Sequence, residues 1–144
     1  MLGTMGLTRA RFSFVLFAVV CLAELGPQRV AHADDVRELV LAVRGVMVSD
    51  LLKQYVIALV NATRSHESLR LGASPRATLH LLRASRAWAA LDGRDYVIPD
   101  DVQALAVPVL AHRLLPTPEA LVAGELPEQV LAGIVARMPL PGRR

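Results

Sequence analysis

From Asp34 onward the apolar residues recur at helical spacing, interrupted by start and stop signals that divide the chain into short segments. Asp35 and Glu38 have the form of a capping box and predict a helix from about Val36, with Leu39, Val40 and Val43 on one face and Gly45 near its end. Ser49-Asp50 opens a second helix, on which Leu51, Leu52, Tyr55, Val56, Leu59 and Val60 make an apolar stripe as far as about Ser65. A polar loop from Arg64 to Leu71 follows. Ser74 is a suitable N-cap and Pro75 a suitable first helical residue, because proline's missing N–H is not needed there. The third helix then carries Leu79, Leu82, Ser85 or Arg86, and Ala89 or Ala90, and stops at Asp92-Gly93. Tyr96 to Ile98 reads as one extended piece. Pro99-Asp100-Asp101 starts a fourth helix with both carboxylates where the helix dipole favours them, an apolar face of Val102, Leu105, Ala106, Val109 and Leu110, and a kink expected at Pro108. A short helix near Glu119 to Val122 and a last one from Pro127 to Arg137 complete the series. The predicted fold is all-α, a small bundle of four to six helices with Trp88 partly buried among them.

The first 33 residues follow another pattern. Arg9 and Arg11 precede an apolar run from Phe12 to Ala23, and Ala31-His32-Ala33 stands before Asp34, which is the order of a secretory signal. The run is shorter than the ~20 residues that cross a bilayer. The expected division is therefore a signal-like or non-native segment over 1–33, preceding a helical domain over 34–144. A buried helix is the other reading of the segment, and membrane association follows only if the segment acts as written.

Composition narrows the chemistry. The chain has 144 residues, 53% hydrophobic but only 4% aromatic, which favours packed helices over a sheet. Its net charge is +3, but Arg9, Arg11 and Arg29 against Glu24 leave only +1 for residues 34–144. A nucleic-acid surface does not follow from that balance, and a DNA-binding reading of Arg76, Arg83 and Arg86 ranks last. Cys21 is the only cysteine, so no internal disulfide or cysteine cluster forms. Lys53, the only lysine, is not preceded by a glycine-rich turn, and no phosphate-cradling loop of that type occurs. Beyond His66-Glu67 the fourth residue from His66 is Arg70, which excludes a zinc-hydrolase helix; His80 and His112 stand isolated. No metal site is expected. Arg76 is the candidate for function, because a guanidinium in the first turn of a helix adds bidentate reach where backbone N–H groups already favour an anion. A solvated arginine, or a partner of Asp100 or Asp101, is the alternative.

Leu71-Gly-Ala-Ser-Pro-Arg-Ala77, Arg86-Ala-Trp-Ala-Ala-Leu-Asp-Gly-Arg-Asp-Tyr-Val97, Pro99-Asp-Asp-Val102 and Ala111-His-Arg-Leu114 closely resemble the C-terminal lid of MoxR-type AAA+ ATPases, relatives of the magnesium-chelatase ATPase subunit. Val48-Ser49-Asp50, Tyr55 and Ala62-Thr63-Arg64 fit the same family. The resemblance covers about Asp34 to Pro141, roughly three quarters of the chain. It implies a helical bundle packed beside a nucleotide-binding core, with Arg76 as the sensor 2 residue approaching the γ-phosphate and Ser74 and Pro75 setting the helix start that aims it.

The resemblance further implies ATP and magnesium held only through a separate core, AAA+ core or MoxR-type partners in a ring that is hexameric in the family, and a chaperone-like or metal-insertion role. No ATPase activity is expected from this chain alone. It looks like an orphaned or truncated lid, cytoplasmic with its core. The alternative is an exported helical interaction protein, cleaved after Ala33 and unrelated to ATP.

Overall fold

The computed structural model describes residues 31–141, and within them the helices follow one another in the predicted order. Helix α1 spans Ala33–Arg44, α2 Asp50–Arg64, α3 Pro75–Leu91, α4 Pro99–Leu110, α5 Pro118–Val122 and α6 Pro127–Arg137; a 3-10 turn, Ala111–Arg113, extends α4. The basic residues and apolar run of the segment over 1–33 lie outside the described residues. No helix among those described is long and apolar enough to cross a membrane.

Local signals explain most boundaries. The Ser49 hydroxyl accepts the Leu52 amide at 3.2 Å and the Thr117 hydroxyl accepts that of Ala120 at 3.2 Å, so both residues are N-caps with satisfied donors. Helix α1 begins three residues earlier than the Asp35-Glu38 spacing suggests. Asp35 is the receiving carboxylate of the first turn and accepts the His32 amide at 2.7 Å, whereas Glu38 lies a turn further on. Ser74 stands at the N-cap of α3 with Pro75 next, yet its hydroxyl makes no cap bond. The turn is closed instead by the Ala77 amide donating to the Ser74 carbonyl at 2.9 Å.

The core forms where the stripes of α2, α3, α4 and α6 meet, with α3 lying most extensively against α4. Leu52, Val56, Leu59, Leu81, Val102, Leu110 and Leu131 are its fully or almost fully buried large side chains. On α3 the buried stripe is Ala77, Leu81, Ser85 and Ala89. Three of those four are small, which lets a neighbouring helix approach closely. Leu79, expected on that face, is exposed, as are Leu51 on α2 and Val40 on α1. Trp88 is 48% exposed and sits at the rim. The phenol of Tyr55 accepts a hydrogen bond from the Gln103 side chain at 3.2 Å, linking α2 to α4.

Two pieces of extended chain tie the helices together. The expected one, around Tyr96 to Ile98, pairs in parallel with Met47 just after α1: the Met47 amide donates to the Asp95 carbonyl at 2.8 Å and the Val97 amide to the Met47 carbonyl at 3.0 Å. The other falls in the stretch that the sequence assigns to a polar loop. Leu69–Leu71 forms β1, antiparallel to β2 at Leu115–Pro116, with Leu69 opposite Pro116 and Leu71 opposite Leu115. An irregularity between Leu69 and Leu71 shortens the ladder. Two strands this short carry no alternating pattern, so the pairing depends on helices that bring them together.

Candidate functional site

The β1–β2 pairing fixes which end of the bundle holds the candidate arginine. Leu71 lies five residues before Arg76, and its partner Leu115 lies two residues after Arg113. The start of α3 and the 3-10 turn are thereby brought to one place. Along α3, Arg76, His80 and Arg83 follow at the i, i+4, i+7 spacing of one helical face. Arg76 is exposed, and among the described residues no carboxylate pairs with it.

His80, partly buried, senses this cluster. Its imidazole is held below its ordinary pKa, first by burial and then by the nearby charges of Arg113, Arg76 and Arg83. Three arginines thus act on one imidazole, and positive charge of this kind attracts anions. We expect His80 to titrate by NMR below the ordinary imidazole value of about 6.5. Arg113→Ala and Arg76→Ala should each raise that midpoint; a wild-type midpoint at or above the ordinary value would remove the cluster from consideration.

The carboxylates expected as helix caps have a second task. Asp101 is buried, with a side chain only 4% exposed, and receives a two-pronged ion pair from Arg94: Nη1 to Oδ2 at 2.8 Å and Nη2 to Oδ1 at 2.7 Å. The same carboxylate accepts the Ile98 amide at 2.9 Å, which is the capping contact. Burial pushes the Asp101 pKa up, but the hydrogen bonds from Arg94 and Ile98 outweigh it and hold the carboxyl below its usual range. Arg94 also donates to Asp92 at 3.1 Å and to the Tyr96 carbonyl at 3.1 Å, so this arginine organises the whole α3–α4 connection. Asp101 thus belongs to Arg94 and not to Arg76. Nothing in the spacing of single residues distinguishes Arg94 from the other arginines; the signal was the recurrence of Asp-Gly-Arg-Asp-Tyr in the resemblance.

The remaining histidines are ordinary. His66 lies in the turn after α2 and its Nδ1 accepts the Ser68 amide at 3.3 Å. His112 is exposed in the 3-10 turn. Among the described residues no group of three or more His, Cys, Asp or Glu side chains is placed to hold a metal ion.

Comparison with known proteins agrees with this architecture. Residues 61–134 match the AAA lid domain. The chain is 41% identical over 102 residues to the uncharacterized protein YeaC of Bacillus subtilis, covering 71% of this chain and 32% of YeaC. It is 41% identical over 103 residues to the chaperone MoxR1 of Mycobacterium tuberculosis, covering 65% of this chain and 27% of MoxR1. A crystal structure from Cytophaga hutchinsonii, provisionally assigned as an ATPase, superposes with a TM-score of 0.75 at 31% identity, over 78% of this chain and 37% of that one. The chain belongs to the AAA lid domain family, in its MoxR-like branch. It spans about a third of the length of the curated relatives it matches.

Proposed function

We propose that residues 34–144 act as the lid of a MoxR-like AAA+ ATPase, contributing Arg76 as the sensor 2 residue to ATP hydrolysis by a P-loop core supplied outside these 144 residues. One observation carries the reading: Arg76 is exposed in the first turn of α3 with no carboxylate paired to it among the described residues, and Arg83 and Arg113 act with it on the same His80 ring. Positive charge of this kind suits a polyphosphate. Magnesium and nucleotide belong to the core, since this chain has no phosphate-cradling loop and no acidic cluster fit to hold the ion among its described residues. Arg76 would stabilise negative charge building on the γ-phosphate oxygens, as positioned cations do in phosphoryl transfer. Ser74 and Pro75 serve it by setting where α3 begins. The partners are then AAA+ core domains or MoxR-type subunits in a ring, the compartment is the cytoplasm where such a core finds ATP, and the ring has a chaperone-like or metal-insertion role.

The test joins the chain to a MoxR-type core and measures ATP turnover. Arg76→Ala should lower it by about 10²-fold, the usual scale for one electrostatic donor to a transition state. Arg76→Lys should recover only part, because an ammonium lacks the planar fork. Arg44→Ala, at the end of α1, should change little. Equal turnover in the Arg76→Ala and Arg44→Ala enzymes would sink the assignment.

A further inference from the structure

Both polar groups of one backbone unit, Ala73, are captured by the end of α2. Thr63 is fully buried and donates its hydroxyl proton to the Val60 carbonyl at 2.6 Å. That leaves its oxygen free to accept, and it takes the Ala73 amide at 2.9 Å. The neighbouring Arg64 donates its Nε–H to the Ala73 carbonyl at 2.8 Å. Gly72 completes the contact, because a Cβ built there would stand 2.6 Å from the Cα and N of Arg64 and from the carbonyl carbon of Thr63. The strand-to-helix connection therefore rests directly on α2, backbone against backbone.

Only two residues separate this anchor from Arg76. Ser74 is extended, at φ −75° and ψ 161°, and the ring of Pro75 holds its φ near −65°. Ala77, fully buried, then closes the first turn through the Ser74 carbonyl. With so few soft torsions between them, the position of the Arg76 Cα is inherited from the two residues that grip Ala73.

From this we infer that Thr63 and Arg64 are positioning residues for Arg76, a clamp that carries the orientation of α2 into the aim of the arginine. The inference rests on the sensor 2 reading of Arg76. It also gives the Ala62-Thr63-Arg64 and Gly72-Ala73-Ser74-Pro75-Arg76 motifs, eight residues apart or more, a single physical task.

The test measures kcat and KM for ATP with the full chain joined to a MoxR-type core. Thr63→Val keeps shape but removes the acceptor for the Ala73 amide; it should lower kcat about tenfold with little change in KM, since a displacement near 1 Å costs up to ~10²-fold. Thr63→Ser keeps the hydroxyl and should keep most of the activity. Arg64→Lys retains charge on an exposed side chain but loses the Nε–H, and it should act in the same direction even if Thr63→Val fails to fold. The decisive readout is the pairing with Arg76→Ala: in that background neither clamp variant should lower turnover further. A loss that persists undiminished there, or clamp variants that leave kcat intact while Arg76→Ala lowers it, would overturn the clamp alone. If Arg76→Ala itself has no effect, the sensor reading fails and the clamp fails with it.

Discussion

Asp101→Ala should lower the unfolding free energy by about 3 kcal/mol, measured by urea or thermal melts at pH 7. The side chain removed is almost fully buried and holds the two-pronged pair with Arg94, whose own side chain is 18% exposed. Taking away one partner leaves the other charge in a poorly solvated place, and that penalty, more than the lost attraction, sets the size of the effect. The estimate is at the lower end of the range for buried pairs because Arg94 keeps its bonds to Asp92 and to the Tyr96 carbonyl. Asp101→Asn should be milder, since an amide oxygen can still accept one prong and the Ile98 amide.

The same residue makes stability depend on acid. The folded chain holds the Asp101 carboxyl below its usual pKa, so the unfolded chain binds the proton more readily. The contribution of Asp101 is therefore complete above the ordinary aspartate value of about 3.9 and fades as pH falls through the lower folded value. Wild-type melts should lose stability across that window, and Asp101→Asn melts should lose less of it. A change below about 1 kcal/mol for Asp101→Ala would show that the α3–α4 connection does not depend on the pair.

Gly72→Val is expected to cost about 3 kcal/mol or more, at or beyond the upper end for an overfilled site. The atoms that a Cβ would meet at 2.6 Å are all backbone atoms of Thr63 and Arg64 within or at the end of a helix. No flexible side chain can move aside, so the connection must lift. Lifting it breaks the Ala73 bonds to Thr63 and Arg64 and leaves the buried Thr63 oxygen without its donor. Gly93 and Gly124 contrast with this site: both have φ above +70° and nothing close by, so their reason for being glycine is backbone conformation alone. A Gly72→Val chain that melts within 1 kcal/mol of wild type would mean that the contact relaxes easily.

The helices were legible because each is announced by its own residues. Ser49 and Thr117 cap with their hydroxyls, Pro75, Pro99, Pro118 and Pro127 occupy first turns, and the stripes of α2 and α4 have helical period. The helical class, the order of elements and Arg76 as the residue of interest all follow from such local rules together with the resemblance. Where a local rule admitted two answers it misled. Asp35 can stand at the start of a helix or accept from one residue outside it, and the structure uses it as an acceptor. On α3 the spacing alone allowed Leu79 to face inward, whereas the buried stripe runs through Ala77, Leu81, Ser85 and Ala89.

What the chain pattern could not reveal are the contacts whose two halves are distant in sequence. The pairing of Leu69–Leu71 with Leu115–Pro116, which draws the chain before α3 and the chain after the 3-10 turn together, has no alternation to betray it. The grip of Thr63 and Arg64 on Ala73, the crowding that demands glycine at residue 72, and the choice of Arg94 over Arg76 as partner of Asp101 are of the same kind. Helix periods, caps and breakers are interactions within a few residues, so a linear reading contains both partners. A close approach between separate elements exists only once the core of α2, α3, α4 and α6 has packed, and only packing decides which arginine finds the carboxylate.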